Sequence, residues 1–208
     1  MSVIKITAPF NEETVQSLKS GDRVLISGTV YAARDAAHKR MIEALEQGED
    51  LPFNIEGEVI YYVGPTPAKP GQVIGSAGPT TSGRMDKYTP ALLERGLKGM
   101  IGKGYRSQEV INSIEENQAI YFGAIGGSGA LIARTIKEVE VIAYEDLGTE
   151  AIRKIVVEDF PAIVINDAYG NDWYKQGVEK YRLNNETSSG AEEDKEIERV
   201  TEIEKIKK

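Results

Sequence analysis

The sequence predicts an α/β domain in which a sheet and helices are layered together. Short apolar segments rich in Val, Ile and Tyr alternate along the chain with segments of helix-forming residues, and glycine or proline marks most junctions. Hydrophobic residues make up 40% of the 208 residues, which is enough to build one sizeable core. We therefore expect one domain, residues 1–182, followed by a charged tail or peripheral helix at 183–208.

The first half of the chain contains a clear strand–helix pair. A glycine turn precedes an apolar strand at residues 21–31, and residues 34–48 are rich in Ala, Met and Leu and end at a glycine. Two further strands are predicted at 57–65 and 72–78. The second of them leads directly into a glycine-flanked segment.

The second half alternates at close spacing. Thr89 is a candidate N-cap with Pro90 at the first helical position. Helices are predicted at 89–96, 107–117 and 127–139. Strands are predicted at 98–104, 118–124, 139–146 and 161–172, with residues 151–160 separating the last two.

The charge balance argues against nucleic acid as a partner. The chain has 25 Lys and Arg against 33 Asp and Glu, a net charge of −8, and such a chain repels phosphate backbones. No apolar run reaches the roughly 18 to 20 residues that span a bilayer. The N-terminus lacks a signal-peptide pattern, so we expect a cytoplasmic protein without a membrane contact.

The chain contains no cysteine and one histidine. It therefore has no disulfide and no thiol nucleophile, and it cannot bind an iron–sulfur cluster through cysteine. A histidine-rich zinc site is equally disfavoured. Any metal chemistry must come from another chain.

Beyond Leu183 the composition becomes polar and charged. Four apolar residues recur every third position there, and they predict a narrow helical stripe. A solvated tail or peripheral helix is the simpler interpretation, and a helix that docks on a partner is the alternative. The four residues are Ile197, Val200, Ile203 and Ile206.

Three cations stand where predicted strands end. Arg34 follows the first strand, Arg84 closes the glycine-flanked segment, and Lys103 lies between two glycines. Open α/β sheets bind ligands at such positions, so a shared anion site is one hypothesis. Ordinary surface cations are the alternative.

The segment Ser76–Asp86, SAGPTTSGRMD, is the most informative loop. Its backbone N–H groups and the hydroxyls of Thr80, Thr81 and Ser82 can bind an anion, and Arg84 can hold a carboxylate. The alternative is a capped helix start without a ligand. The other glycine-rich loop, FGAIGGSGAL, lacks a dinucleotide fingerprint.

Other polar residues near these loops have simpler roles. His38 shares a helical face with Arg34 and Asp35 lies beside them, so His38 could orient a neighbour, accept a proton, or make a structural hydrogen bond. Asp86 is predicted to be a capping or turn residue, like Asp167 and Asp172. Trp173 is predicted to be a core aromatic.

The segments GTVYAARDAAHKR, YYVGPTPAKPGQVIGSAGPTTSGRMDKYTPALLERGLKGMIGKG and AIYFGAIGGSGALIA resemble one family. They are similar to the β subunit, or the equivalent C-terminal domain, of class I iron–sulfur fumarate hydratases and related L-tartrate dehydratases. The resemblance implies a swivelling β/β/α domain. It also implies a cysteine-bearing α subunit that carries the [4Fe–4S] cluster, and reversible hydration of fumarate to L-malate.

The resemblance assigns roles to four residues. It implies that Arg34 and Arg84 bind the carboxylates of a small dicarboxylate substrate, that Lys103 completes the clamp, and that Thr80 is the base. Thr80 and Thr81 are also predicted to bind the substrate. The resemblance implies a heteromer of higher order, or a homodimer of the isolated chain. A tartrate dehydratase subunit, a non-catalytic anion-binding module and, more weakly, a nucleotide-binding protein are the alternatives.

Overall fold

The computed structural model describes residues 3–182, and their seven strands and intervening helices confirm the α/β class. The chain divides into two compact units, Met1–Asp172 and Trp173–Lys208, and residues 173–182 of the second are helical. The predicted tail, with its apolar stripe, lies outside the described residues, so the boundary at 182 stays a prediction. None of the helices in residues 3–182 has the length and apolar character needed to cross a bilayer.

The elements follow the predicted alternation. The strands are β1 Val3–Ala8, β2 Arg23–Ala32, β3 Val59–Tyr61, β4 Gly99–Gly102, β5 Ile120–Gly123, β6 Ile136–Ala143 and β7 Ile152–Asn166. The α-helices of the first unit are α1 Glu12–Ser17, α2 Asp35–Glu46, α3 Thr89–Leu93, α4 Gln108–Glu116 and α5 Gly129–Ala133. Short 3-10 turns cover Ser82–Met85 and Glu145–Glu150.

The strands form a sheet that closes on itself. Strands β1 to β5 pair in parallel in the order β1-β2-β3-β4-β5. Strand β7 pairs antiparallel with both β5 and β2, which completes a circuit through β2, β3, β4, β5 and β7. Strand β6 extends the sheet along the first half of β7. The carboxyl ends of the parallel strands therefore meet at one edge.

Strands β3, β4 and β5 are buried on both faces. Tyr61, Ile101 and Phe122 lie in the main apolar cluster, where the Tyr61 ring meets Phe160 at 5.1 Å. Because side chains alternate along a strand, Tyr62 and Tyr121 lie on the opposite face. Helix α2 covers part of that face, since the His38 ring is 5.3 Å from Tyr62.

Several predicted elements differ in the structure. Residues 151–160 do not separate two strands, because β7 continues through them while pairing with β2. Residues 72–78 form no strand, although Ile74 and Ala77 are buried. The predicted helix at 127–139 ends at Ala133, since the chain then enters β6. Strand β1 was not predicted.

Two single-residue predictions were wrong. Thr89 is the first residue of α3 and not its N-cap, which is Tyr88, and its hydroxyl donates to the carbonyl of Met85 at 3.0 Å. Trp173 is 39% exposed and is not a core aromatic.

Candidate anion-binding site

The candidate site lies at the edge where the parallel strands end. Arg34 follows β2 by two residues, the loop that contains Ser76–Asp86 follows β3, and Lys103 directly follows β4. In open α/β folds, ligands bind beyond the carboxyl ends of the strands. The topology therefore brings all three predicted cations to one edge.

Asp35 joins Arg34 and Arg84. Arg84 Nε donates to Asp35 Oδ1 at 2.7 Å, and Arg34 Nε donates to Asp35 Oδ2 at 3.2 Å. The Arg34 side chain is 20% exposed and that of Arg84 is 51% exposed. Asp35 thus holds two guanidinium groups side by side, while much of Arg84 stays accessible.

The surroundings of Asp35 favour its ionised form. Burial acts most strongly and raises the pKa of this carboxyl, but hydrogen bonds from its own backbone N–H, from Arg34 and from Arg84 together outweigh it. The pKa of Asp35 is therefore held below its ordinary value. The carboxylate that aligns the two arginines is charged at neutral pH.

The start of α2 fixes the backbone of Arg34. The carbonyl of Arg34 accepts hydrogen bonds from the His38 backbone N–H at 2.9 Å and from His38 Nδ1 at 3.0 Å. Glu150 accepts from the Ala36 N–H at 2.8 Å and lies 3.5 Å from Arg34 Nη2. A Cβ at Gly64 would lie 2.7 Å from Arg34 Nη1, so glycine leaves room for this side chain.

His38 is a neutral structural residue. It is fully buried, and burial lowers its pKa from 6.5 to about 4. Because the carbonyl of Arg34 can only accept, Nδ1 carries the proton, and Nε2 has no hydrogen-bond partner among the described residues. The hypothesis that His38 accepts a proton near neutral pH is not supported by this low pKa.

The backbone pairs the Ser76–Asp86 loop with Lys103. The Lys103 N–H donates to the carbonyl of Thr80 at 3.2 Å, and the Ser82 N–H donates to the carbonyl of Lys103 at 2.9 Å. The Thr80 N–H donates to the carbonyl of Tyr62 at 2.7 Å. The N–H groups of Thr80 and Ser82 are therefore engaged within the protein, so these two do not serve the predicted anion site, and the role of the other N–H groups of the run stays a prediction.

Thr80 is half-buried and Thr81 is exposed at this edge, whereas Ser82 is buried. Ser82 Oγ lies 2.9 Å from Tyr121 Oη, and a Cβ at Gly102 would come within 2.0 Å of Ser82 Oγ. Ser82 is therefore a packing residue, and glycine at the end of β4 allows the loop to approach the sheet. The Lys103 side chain is exposed and passes beside Gly126.

Arg106 was not predicted from the sequence to belong to this region. Its side chain is fully buried and pairs with Asp86, with 2.7 Å between Nε and Oδ1. Asp86 Oδ2 accepts from the Ser107 N–H at 2.6 Å, next to the start of α4. Asp86 follows the 3-10 turn as its C-cap residue, and its side chain also neutralises a buried cation, whereas the N-cap of α4 is Ser107. Nothing local in the segment GKGYRSQEV marks its arginine as buried.

The residues of this chain do not suit an iron–sulfur cluster held by cysteine thiolates. The full sequence has no cysteine, and residues 3–182 contain no group of three or more His, Asp or Glu side chains placed to hold a metal ion. What this edge offers is positive charge, hydroxyl groups and an ordered loop. Such a surface can bind carboxylates.

The fold is an α/β domain that brings two arginines and a lysine to one edge of its sheet. The chain belongs to the fumarase C-terminus family, whose sequence profile matches residues 1–177, and this confirms the resemblance found in the sequence. It is 43% identical over 164 residues to "Fumarate hydratase class I, anaerobic" of Escherichia coli strain K12, covering 78% of this chain and 30% of that protein.

Two other relatives differ in how much of their own length this chain covers. The chain is 44% identical over 156 residues to "Fumarate hydratase class I, aerobic" of Salmonella typhimurium, covering 74% of this chain and 27% of that protein. It is 36% identical over 176 residues to "Putative L(+)-tartrate dehydratase subunit beta" of Methanocaldococcus jannaschii, covering 80% of this chain and 90% of that protein. The chain thus spans less than a third of these fumarate hydratases.

Proposed function

We propose that this chain is the β subunit of a class I fumarate hydratase, which adds water to fumarate to form L-malate and catalyses the reverse reaction. The observation that carries the proposal is the pair Arg34 and Arg84, aligned on Asp35 beyond the strand ends. The identity to fumarate hydratases supports the choice of substrate.

The three cations suit a small dicarboxylate. A dianion that leaves water needs several positive or donating partners, because an unpaired buried charge costs several kcal/mol. Arg84 is the more accessible of the two arginines. It is proposed to bind one substrate carboxylate together with Arg34. Lys103, at the end of the next strand, is proposed to complete the clamp.

Thr80 is the proposed base. In dehydration it would take the proton from C3 of malate, and in hydration it would return a proton to C3. A neutral hydroxyl is a poor base, so Thr80 must act as an alkoxide stabilised by nearby cations or must pass its proton to a relay. The proposal is supported by the backbone of this loop, because the Thr80 carbonyl accepts from the Lys103 N–H and Thr81 forms a β-bridge with Lys103.

A second subunit is part of the proposal. Because this chain has no cysteine, the [4Fe–4S] cluster is proposed to lie on a cysteine-bearing α subunit. That subunit would correspond to the part of the longer fumarate hydratases that this chain does not cover. We propose an active heteromer of α and β subunits, and a homodimer when this chain is isolated.

A β subunit of an L-tartrate dehydratase is the second candidate. The relative with this name is covered over 90% of its length, so it matches this chain in size. Tartrate differs from malate by one hydroxyl group. A site that hydrogen-bonds that hydroxyl can discriminate strongly between the two substrates.

The test is co-expression with the cysteine-bearing subunit under anaerobic conditions, with assays on fumarate, malate and tartrate. We expect fumarate hydration by the complex and none by this chain alone. Thr80→Ala should lower kcat far more than it changes KM, whereas Thr7→Ala, on the exposed face of β1, should change neither. Turnover of tartrate alone would favour the second candidate, and anion binding without turnover would reduce the chain to a binding module.

A further inference from the structure

Arg106 lies beneath the candidate site, on the sheet face that the helices cover. Its side chain has no exposed surface. Its guanidinium lies 5.4 Å from the ring centre of Tyr62 and 5.0 Å from that of Tyr121. A buried cation in this position needs partners on every side, because burial penalises an unpaired charge.

The guanidinium donates to three side-chain oxygen atoms and, through Nη1, to the sulfur of Met100 at 3.8 Å. Nε donates to Asp86 Oδ1 at 2.7 Å, and Nη2 donates to Thr89 Oγ1 at 2.7 Å. Nη1 donates to Tyr62 Oη at 3.3 Å. Only a planar fork of donors satisfies this arrangement, and a lysine ammonium does not reproduce it.

Two of these contacts hold the end of the Ser76–Asp86 loop. Asp86 is its last residue, and the Asp86 N–H closes the 3-10 turn on the carbonyl of Gly83 at 3.3 Å. Thr89, which accepts from Arg106, donates onward to the carbonyl of Met85 at 3.0 Å. Arg84 lies inside the turn that these contacts fix.

The third contact holds the middle of the same loop. Tyr62 accepts from Arg106 through its hydroxyl, and through its backbone carbonyl it accepts from the Thr80 N–H at 2.7 Å. The proposed base and the proposed carboxylate ligand Arg84 therefore lie between anchor points that converge on one guanidinium.

We propose that Arg106 is a positioning residue that sets the geometry of Thr80 and Arg84 without touching substrate. Its role in turnover rests on the proposed function, whereas its hold on the loop does not. A general contribution to core stability is the competing explanation. The two explanations differ in their consequences. If Arg106 positions the loop, its substitution changes residues 80–86 far more than the rest of the chain, whereas a loss of core stability affects the whole chain.

The first experiment measures amide hydrogen exchange in the full chain. Arg106→Lys keeps the charge opposite Asp86 but loses the fork, and Thr89→Val and Tyr62→Phe each remove one acceptor. We expect exchange in residues 80–86 to speed up by about tenfold or more, with little change in β1. Arg95→Lys, at an exposed arginine after α3, is the matched control and should leave the exchange unchanged. If amide exchange speeds up uniformly across the chain, or does not change at residues 80–86, Arg106 does not hold the loop and the proposal is overturned.

The second experiment is a double-mutant cycle in the assembled complex. Arg106→Lys should raise KM for fumarate by about tenfold, yet raise it by less than about twofold when Arg84→Lys is already present. Independent, multiplying effects would show that Arg106 does not act through Arg84 and would overturn the positioning role. If the unmodified complex does not hydrate fumarate, the proposed function fails. The exchange measurement alone then decides whether Arg106 holds residues 80–86 in place.

Discussion

Arg84 Nε donates to Asp35 Oδ1 at 2.7 Å, across 49 positions of sequence. The other oxygen of the same carboxylate accepts from Arg34, so the Asp35 side chain lies between the two arginines and is hydrogen-bonded to both. An anion that approaches this edge meets cations that are already oriented. Such preorganisation lowers the cost of binding because fewer side chains must be ordered by the ligand.

We predict that Arg84→Lys weakens substrate binding more than it slows turnover. Lysine keeps the charge but cannot bind Asp35 and a substrate carboxylate with a planar fork. A lost charge-assisted contact costs roughly 1.5–3 kcal/mol, which corresponds to an increase of about 10-fold to 150-fold in KM. Steady-state kinetics of the assembled complex measure it, with Arg95→Lys as control. An unchanged KM would remove Arg84 from the binding site.

We predict that Asp35 stabilises the fold at neutral pH and loses this effect in acid. Its folded pKa lies below the ordinary value, so the stabilisation is present above the unfolded pKa of about 3.9 and is lost as pH falls through the folded pKa. The free energy of unfolding of the wild type should therefore exceed that of Asp35→Asn near neutrality, and the gap should narrow below about pH 4. Urea titrations test this, with the exposed Asp50→Asn as control. A gap that does not depend on pH would contradict it.

We predict that His38 stays neutral well below its ordinary pKa. The chain has one histidine, so its ring signals in an NMR titration are assigned without ambiguity. Because the pKa is lowered to about 4, these signals should not move between about pH 8 and pH 5.5. Protonation with a midpoint near 6.5 in the folded chain would mean that His38 is accessible to water.

The lowered pKa of His38 also predicts that the free energy of unfolding depends on pH. The unfolded chain binds a proton at His38 between about pH 6.5 and pH 4 while the folded chain does not, so stability falls by about 3 kcal/mol across that window as pH drops. His38→Asn, which keeps a donor for the carbonyl of Arg34, should remove this component of the slope. Equal slopes for the two proteins would contradict the buried, neutral assignment.

We predict that Gly102→Ala displaces the Ser76–Asp86 loop. Gly102 is buried, and the new Cβ would lie 2.0 Å from Ser82 Oγ and 2.9 Å from Tyr62 Cδ2. Overpacking of this kind costs about 1–3 kcal/mol. Thermal unfolding measures the loss, and adding Ser82→Ala should recover part of it. Gly126→Ala, whose Cβ would meet only the Lys103 side chain at 3.8 Å, is the control.

The sequence predicted the elements whose signals are local. Helix α2 has its helix formers and its terminal glycine in one continuous segment, and the cations at strand ends follow from the order of the elements. The continuity of β7 was not predictable in this way, because Asp159 adopts a φ of 51° within it and Pro161 follows. Its pairing with β2, which is distant in sequence, keeps the strand continuous.

The support beneath the site was also beyond sequence reasoning. Arg106 is buried because Tyr62, Asp86 and Thr89 converge on it from separate segments, and no local pattern reveals that convergence. Asp35 could be placed beside Arg34 from the sequence. Its bond to Arg84 depends on how the loop after β3 folds back, and only the structure shows this.

The most direct test is a structure of the assembled complex with malate bound. The account predicts carboxylate oxygens within about 3 Å of guanidinium nitrogens of Arg34 and Arg84, with Thr80 facing C3 of the ligand. Malate bound elsewhere, with both arginines still engaged only by Asp35 and Glu150, would contradict it.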